Sequence, residues 1–289
     1  AKHEHEVSVN PFDGEKSSGV SHAPLLYAED PRPDIPAALE EHLGDTAPAA
    51  LTAAPWLRLG VSVSGQSWPV LEQPWVEGVP LNIAVEDMLD EPGRLRALAV
   101  QWADVVRDLQ RARVAHGDLQ HGNVLVKPGD AIALVDLDGV WVPEIKVGPP
   151  AEFGHPNYQH PQRTTQHWGQ YVDSFPGALI ELALLGLAAD SSLDRFLHGE
   201  NLLFMRSDLE RPGDSEVWGA LCASSDPKVA GLAALLRQRC AGPIGEVLVP
   251  FDQLRDGKLT APEVSVSATP AVPRPASLLP AAVNPPSAD

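Results

Sequence analysis

The sequence predicts an α+β fold in two lobes, with a small antiparallel sheet preceding a larger helical part. Residues 23–78 contain short stretches in which apolar and polar side chains alternate, as they do in strands. Residues 79–259 instead carry apolar side chains at helical spacing. A chain of 289 residues is long enough to bury a core in each of two lobes.

The strand-rich lobe begins at Ala23, where the stretch APLLYAED predicts a strand. Residues 34–43 predict a short helix, which Asp34 can cap and Gly44 can end. The alternating stretch WLRLGVSVSG is followed, after a Gly-Gln turn, by SWPVLEQPWVEG. This pair predicts two antiparallel strands.

The helical lobe is predicted from five patterns. A short helix is expected at 81–89 and a longer one at 91–113. The stretch FPGALIELALLGLAA is apolar on nearly every side, which is typical of a helix in the middle of a helical lobe. Further helices are expected at 215–223 and 229–240.

The two ends of the chain differ in composition from the lobes. Residues 1–22 are polar and punctuated by Gly and Ser, and residues 260–289 are dominated by Ala, Pro, Val and Ser. The latter segment cannot bury enough apolar surface to offset its ordering entropy, which predicts a disordered tail.

The charge balance narrows the classes of partner. The chain has 21 Lys and Arg against 39 Asp and Glu, a formal net charge of -18. Such a surface repels phosphate backbones and anionic lipids, so we expect neither nucleic acid nor membrane as a partner. Two cysteines give no disulfide framework, and no stretch reaches the length of a membrane span. We expect a cytoplasmic protein.

The most informative segment is HGDLQHGNVLVKPGDAIALVDLDGVWVP, which begins at His116. Its apolar runs VLV and IALV are separated by Pro-Gly-Asp, a pattern that indicates a β-hairpin. If the turn consists of Gly129 and Asp130, Asn123 faces Asp136 across the ladder. Asp118 then lies on the loop that enters the same end of the hairpin.

Three oxygen-bearing side chains at one hairpin end would suit a hard cation. Mg²⁺ takes one or two carboxylates together with waters and substrate phosphates, so Asn123 and Asp136 would suffice as protein ligands. Asp118 would remain free to orient a nucleophile or to accept its proton. The alternative is that each side chain simply caps a turn.

The same segment resembles the catalytic loop and metal motif of the protein kinase superfamily, which has His-Arg-Asp, then Asn five residues after that Asp, then Asp-Phe-Gly. HGD at 116–118 is similar to the first element, Asn123 matches the Asn, and DLD at 136–138 stands in place of the last. The resemblance implies a bilobal kinase-like fold.

The roles that this resemblance implies follow residue by residue. Asp118 would be the catalytic base, with Asn123 and Asp136 as Mg²⁺ ligands and ATP as the second cofactor. Trp75 and Glu77 fall where the kinase hinge would bind adenine, although core packing explains the Trp equally well.

A second match lies at 154–162, where GHPNYQHPQ is similar to the Gly-x-Pro-x-Tyr-x-x-Pro-Glu end of a kinase activation segment. The resemblance implies structural roles for Tyr158, Pro161, Asp173 and also His116. Small-molecule kinases similar to aminoglycoside and choline phosphotransferases share the first motif but lack the second. The similarity covers roughly residues 23–255 and extends to a group of bacterial kinase-like proteins.

Three residues in these motifs depart from the family pattern. Gly117 replaces the Arg that in many kinases grips a phosphorylated activation loop, so control by such phosphorylation is not expected. Asp138 replaces a Gly, and Gln162 replaces the Glu whose ion pair ties the segment to the helical lobe. We expect that tie to be weaker or built differently.

The larger departure lies upstream of the motifs. No Gly-x-Gly-x-x-Gly occurs before Ala23, and the first predicted strand lacks the lysine that clamps the ATP phosphates. Lys16 is the nearest candidate but has the surroundings of a solvated loop lysine. Glu40 and Glu41, at the position of that lysine's usual partner, are expected to be exposed.

Three functions therefore fit the sequence. The first is an ATP- and Mg²⁺-dependent Ser/Thr kinase that acts on a protein substrate. The second is a pseudokinase, which uses the fold to bind or scaffold a protein partner. The third is a small-molecule phosphotransferase.

Overall fold

A computed structural model describes residues 22–26, 34–44, 47–51, 56–63, 66–145, 154–199 and 201–258. This part of the chain is α+β, with small antiparallel sheets and a larger number of helices. The strands are β1 (His22–Leu26), β2 (Trp56–Val63), β3 (Gln66–Pro74), β4 (Val79–Pro80), β5 (Val124–Val126) and β6 (Ile132–Leu134). The helices are α1 (Asp34–Leu43), α2 (Leu81–Glu86), α3 (Pro92–Arg111), α4 (Ser174–Ala189), α5 (Arg206–Glu210), α6 (Glu216–Cys222), α7 (Pro227–Ala241) and α8 (Phe251–Arg255).

The first sheet has the strand order β1-β3-β2, and both of its pairings are antiparallel. The predicted antiparallel pair is therefore confirmed as β2 and β3. The register shifts between Leu57 and Val61, where a bulge or irregularity interrupts the ladder. Helix α1 has the predicted bounds.

The second sheet has the order β4-β5-β6 and contains the predicted hairpin, but with a different register. Val124 pairs with Leu134 and Val126 with Ile132, so the ladder is shifted by one residue from the prediction. The Asp130 N–H donates to the Lys127 carbonyl at 3.0 Å, which closes a longer loop.

Turn chemistry explains the shift. Pro128 followed by Gly129 is the typical central pair of a type II turn, and Gly129 has a φ of 84°. Asp130 is also left-handed, with a φ of 66°, and adds a third residue to the loop. The predicted two-residue turn is wrong, and the partner of Asn123 is Val135, whose N–H donates to the Asn123 carbonyl at 3.1 Å.

Helix α4 is the centre of the helical part, as predicted, and every residue in it except Ala189 is buried. Helix α3 packs against it, and the indole N–H of Trp102 donates to the Gly177 carbonyl at 2.8 Å. The predicted helices α6 and α7 are also present, whereas the short helices α5 and α8 were not predicted.

The segment that follows α1 is attached to the hairpin and to α3. The Leu134 N–H donates to the Ala50 carbonyl at 2.7 Å. One ring nitrogen of His42 lies 2.6 Å from the Ala112 carbonyl and the other lies 2.7 Å from the Glu144 carboxylate. These contacts hold the end of α1 beside the loop that follows the DLD motif.

The predicted polar segment 1–22, apart from His22, lies outside the described residues, as do Lys16 and the predicted tail 260–289. The predicted lobe boundary at Gly78 and Val79 falls where the loop after β3 meets β4. Within the described residues, no helix is both long enough and apolar enough to cross a bilayer.

Candidate catalytic and metal site

The site is built where two chain segments run side by side after α3. Ala115 and Trp141 exchange both backbone hydrogen bonds, at 2.9 and 2.8 Å. This bridge brings the loop 116–123 next to the loop 136–140. The carboxylates of Asp118 and Asp136 are consequently on neighbouring segments, although 18 residues separate them in the sequence.

His116 holds the beginning of this loop and is fully buried, with 0% of its surface exposed. Its Nε2 lies 3.0 Å from the Val135 carbonyl, and its Nδ1 accepts a hydrogen bond from the Asp118 N–H at 3.3 Å. A single tautomer, with the hydrogen on Nε2, satisfies both contacts. His116 therefore links the loop 116–123 to the end of β6.

Asp173 fixes the same loop from the start of α4. Its buried carboxylate accepts the backbone N–H groups of His116 and Gly117, the latter at 2.9 Å. Burial raises the pKa of the Asp173 carboxyl, while attraction to His116 and the two N–H groups opposes that shift. His116 and Asp173, for which structural roles are implied, are thus joined by a direct hydrogen bond.

The Asp118 carboxylate is held by donors from two directions. Its Oδ1 accepts the backbone N–H of His155 at 2.8 Å, and its Oδ2 accepts the side-chain N–H of Asn123 at 3.1 Å. The side chain is half-buried, so one part of it still meets solvent. This arrangement fixes the orientation of the carboxylate before any substrate is present.

Asn123 lies in a short 3₁₀ turn, His121–Asn123, directly before β5, and only 6% of its surface is exposed. Its Nδ2 also donates to the Asp118 carbonyl at 3.0 Å. Both N–H groups of the Asn123 amide therefore donate hydrogen bonds to Asp118. Within the described part of the chain, Oδ1 is the atom of this side chain left to bind a cation.

Asp136 follows Val135 in a left-handed conformation, with a φ of 65°. The residue keeps an exposed surface, yet the surrounding loops exclude enough water to raise the pKa of its carboxyl. Repulsion from Asp138 and Asp118 adds to that shift, while His116 and the Asp138 N–H oppose it. Asp136 is thus close enough to Asp118 for the two charges to interact.

The three predicted residues are therefore connected through Asp118, and not through the predicted Asn123–Asp136 ladder pair. Asp118 bonds Asn123 directly and repels Asp136. Among the described residues, no group of three or more His, Cys, Asp or Glu side chains is arranged to hold a metal. The Asp136 carboxylate and the Asn123 amide oxygen are nevertheless ligand types that suit Mg²⁺, whose shell is completed by waters and phosphate oxygens.

Gly117 permits the close approach of the two loops. Its φ is 84°, and a Cβ at this position would lie 2.2 Å from the Gly139 carbonyl oxygen. No side chain fits there unless the loop after Asp136 moves. A glycine at this position is therefore a steric requirement of this fold.

The segment at 154–162 packs under the site. Tyr158 is buried, and its hydroxyl lies 2.8 Å from His121 Nδ1 and accepts the Leu202 N–H at 3.0 Å. Burial raises the pKa of Tyr158 above its ordinary value. Tyr158 therefore connects the segment 154–162 to the 3₁₀ turn at His121 and to Leu202.

The anchor of this segment differs from an ion pair, as expected from Gln162. The Gln162 Oε1 accepts the backbone N–H of Ile244 at 3.1 Å, and the Pro161 carbonyl accepts a guanidinium N–H of Arg206 at 2.9 Å. The buried Arg239 pairs instead with Glu246. The segment 154–162 is thus attached by hydrogen bonds of the Gln162 side chain and the Pro161 backbone, and not by an ion pair.

The hinge-like loop 75–78 runs beside β5, because a Cβ at Gly78 would lie 3.0 Å from the Val126 carbonyl oxygen. Trp75 is 66% exposed, so the alternative that it packs in the core is wrong. Glu77 is exposed as well. On α1, Glu40 and Glu41 are both exposed, as predicted.

Sequence reasoning missed Arg163, which is only 6% exposed. Burial lowers its pKa to about 10, and attraction to Asp173 and Asp118 opposes the shift. The side chain therefore places a buried positive charge near both carboxylates. An Arg that follows a Pro-rich turn gives no signal of burial, so no sequence pattern could have identified it.

Comparison with protein-family models and with curated proteins finds no match to this chain.

Proposed function

We propose that the chain is an ATP- and Mg²⁺-dependent phosphotransferase with the bilobal arrangement of protein kinases, acting on a hydroxyl group of a protein substrate. The observation that carries this proposal is the Asp118 carboxylate, held between the Asn123 side chain and the His155 N–H, with the charge of Asp136 nearby. A cytoplasmic location is part of the same proposal.

Asp118 would orient the substrate hydroxyl and accept its proton. The hydrogen bonds to its two oxygens keep the carboxylate in one rotamer, which reduces the entropy lost when a substrate binds. Asn123 Oδ1 and the Asp136 carboxylate would hold the cation. Mg²⁺, when bound, would neutralise charge on the transferred phosphate.

The nucleotide base is assigned to the loop at 75–78. The exposed indole of Trp75 offers an apolar face, and the backbone near Glu77 offers hydrogen-bonding groups. This loop packs on β5, and Asn123 directly precedes that strand. The base and cation positions would consequently be connected by one short strand.

A binding or scaffolding module of the pseudokinase type is the second candidate. It is favoured by β1, HAPLL, which has no lysine, and by the exposure of Glu40 and Glu41. The loss of one phosphate-clamping cation would slow transfer by about 100-fold or more. The third candidate, a small-molecule phosphotransferase, differs from the first only in the substrate that the same site accepts.

A thermal-shift titration with ATP, in the presence and absence of Mg²⁺, tests nucleotide binding. Ligand at 100 times its dissociation constant should stabilise the protein by about 2.7 kcal/mol. We expect a Mg²⁺-dependent shift that Asp136→Asn removes. The absence of any Mg²⁺-dependent shift would contradict the enzyme proposal and favour the binding module.

Phosphate transfer is then measured with wild type and Asp118→Asn, by incorporation of labelled phosphate into the protein itself and into a mixture of unfolded model proteins. We expect Asp118→Asn to bind Mg²⁺–ATP normally and to lose transfer by about 100-fold or more, since a positioned base contributes that much. Binding without transfer in wild type would identify a nucleotide-binding pseudokinase.

A further inference from the structure

The loop 136–139, called the metal loop, is tied by a residue from a distant segment. The indole N–H of Trp168 donates to the Gly139 carbonyl at 3.0 Å across 29 positions of sequence. Trp168 lies between the Pro161 segment and the start of α4. It belongs to none of the HGD, DLD and GHPNYQHPQ motifs.

The Gly139 carbonyl, which accepts the Trp168 hydrogen bond, is also the group that lies against Gly117. A Cβ added to Gly117 would lie 2.2 Å from the Gly139 oxygen and 2.8 Å from its carbonyl carbon, so the two backbones are in close contact. Asp118 follows one of these glycines directly, and Asp136 lies three residues before the other. A shift of Gly139 would therefore change the separation of the two carboxylates.

The metal loop requires such a tie because its own conformation is unfavourable. A left-handed Asp136 is strained relative to an ordinary backbone conformation and persists only where the surroundings enforce it. One turn bond within the segment, from the Val140 N–H to the Leu137 carbonyl, does not reach the Gly139 carbonyl. The rigid indole of Trp168 supplies the missing donor.

This tie needs no covalent modification. Gly117 leaves no room for a cationic side chain that could grip a phosphorylated residue, whereas the neutral indole donor is always present. We propose that Trp168 is a positioning residue, which holds the metal loop in its cation-binding form without phosphorylation. The proposal rests on the proposed function of Asn123 and Asp136.

The test compares Trp168→Phe with Trp218→Phe. The Trp218 indole makes a bond of the same kind, to the Asp208 carbonyl at 3.0 Å, between α6 and α5 and outside the candidate site. Each variant loses one indole hydrogen bond and keeps an aromatic ring. Each protein is measured with and without prior phosphatase treatment, and its Mg²⁺ affinity is determined by calorimetry at a saturating concentration of a non-hydrolysable ATP analogue.

We expect Trp168→Phe to weaken Mg²⁺ binding by about five- to tenfold, the equivalent of one hydrogen bond, with little change in analogue binding without Mg²⁺. Trp218→Phe should lose stability but keep the wild-type Mg²⁺ affinity. Equal Mg²⁺ affinities in the two variants, or Mg²⁺ binding only by protein not treated with phosphatase, would overturn the role of Trp168.

A measurement on wild type covers the case in which Trp168→Phe does not fold. The indole ¹⁵N–H resonance of Trp168 should shift when Mg²⁺ is added to the analogue complex, while that of Trp218 stays in place. An unmoved Trp168 resonance overturns the proposal. If wild type binds no Mg²⁺ in the presence of the analogue, the proposed function itself fails. If wild type binds Mg²⁺ but the Trp168 resonance does not move, only the role of Trp168 fails.

Discussion

At the scale of single residues, Gly117 determines how closely the loops 116–123 and 136–140 approach each other. Its left-handed backbone and its contact with Gly139 leave no space for a β-carbon. The His116 N–H donates to the Asp173 carboxylate, and the adjacent Asp118 carboxylate accepts hydrogen bonds from His155 and Asn123. A local displacement at Gly117 would therefore move its neighbours Asp118 and His116.

Gly117→Ala should destabilise the protein by about 2–4 kcal/mol, because it combines a left-handed alanine with an overlap against backbone. The free energy of unfolding is measured in urea. Gly93→Ala, in α3, is the control, since none of the described residues outside its own helix turn and chain neighbours lies within 4 Å of its would-be Cβ. We expect that control to keep or slightly raise the stability. Equal effects of the two substitutions would contradict the close contact of the loops.

His160 gives a prediction about pH. Burial lowers the pKa of this histidine, and its Nδ1 accepts the Gln162 N–H at 3.2 Å, so the folded protein favours the neutral ring. The unfolded chain takes up the proton as the pH falls through the ordinary histidine range near 6.5. Stability contributed by this group is therefore present above that range and is lost below it.

His160→Gln should reduce the difference between the stabilities at pH 7.5 and pH 5.5. Urea unfolding of wild type and variant at both values measures this. His167→Gln serves as the comparison: burial lowers the pKa of His167 as well, but the ring is only half-buried and its hydrogen bonds within the described residues go to the neighbouring Thr164, so a smaller effect is expected. A pH dependence left unchanged by His160→Gln would show that His160 has the same pKa in the folded and the unfolded protein.

The candidate site could be identified from the sequence only where its residues are close in the chain. Asn123 is five residues from Asp118, and this short separation predicts that the two side chains lie near each other. The contacts from His155, Arg163 and Trp168 join segments far apart in sequence. Those contacts depend on tertiary packing, which a local pattern does not encode.

At the scale of elements, the hairpin of β5 and β6 illustrates how turn chemistry sets register. The apolar runs predicted the strands correctly, but the third loop residue moved the pairing by one. A one-residue shift exchanges the faces on which side chains lie. Asn123 and Asp136 remain part of one site because both lie outside the regular ladder, in a 3₁₀ turn and a left-handed position.

Gly129→Ala should destabilise the hairpin by about 1–2 kcal/mol, the cost of a left-handed residue with a Cβ. Among the described residues other than its chain neighbours, no heavy atom lies within 4 Å of that would-be Cβ, so backbone conformation alone is tested. Gly129→Asn, which tolerates this conformation better, should lose less stability. The free energies of unfolding of the two variants are measured in urea. A larger loss of stability in Gly129→Asn than in Gly129→Ala would contradict the turn assignment.

Helices α4 and α8 are joined by a buried ion pair. The Glu181 side chain is 2% exposed and receives two hydrogen bonds of 2.5 Å from Arg255. Arg255→Ala should cost about 3–5 kcal/mol, because it leaves a buried carboxylate without its partner. The double variant Glu181→Leu, Arg255→Met should be close to wild type in stability.

A double-mutant cycle on Glu181 and Arg255, measured by thermal unfolding, decides this prediction. Additive losses in the double variant would show that the two side chains stabilise the fold independently of each other.

The accuracy of the element predictions follows the length of each pattern. Helices α3 and α4 have 20 and 16 residues, enough turns for their apolar periodicity to be evident. Helices α5 and α8 have five residues each, less than two turns, and were missed for that reason. Strand β4 has two residues, and pairing with β5, not local sequence, defines it.

At the scale of the whole molecule, the excess of acidic residues opposes folding. A net charge of -18 on a chain of 289 residues produces self-repulsion in the compact state. Several arginines reduce that repulsion locally; Arg94 binds Asp130 through two hydrogen bonds, and Arg107 binds Asp104 and Asp252. Most of the excess charge still has to be balanced by ions from solution.

Salt should accordingly stabilise the protein at neutral pH. Raising NaCl to several hundred millimolar shortens the Debye length below 10 Å, and we expect a gain of about 1 kcal/mol, or roughly 2–4 °C in Tm.

MgCl₂ at equal ionic strength separates screening from site binding. Any additional rise with Mg²⁺ should disappear in Asp136→Asn, a replacement that tolerates the left-handed backbone of this position. A Tm that does not change with NaCl would show that the excess acidic charge does not weaken the fold. If the additional rise in Tm caused by Mg²⁺ is as large in Asp136→Asn as in wild type, the cation binds elsewhere.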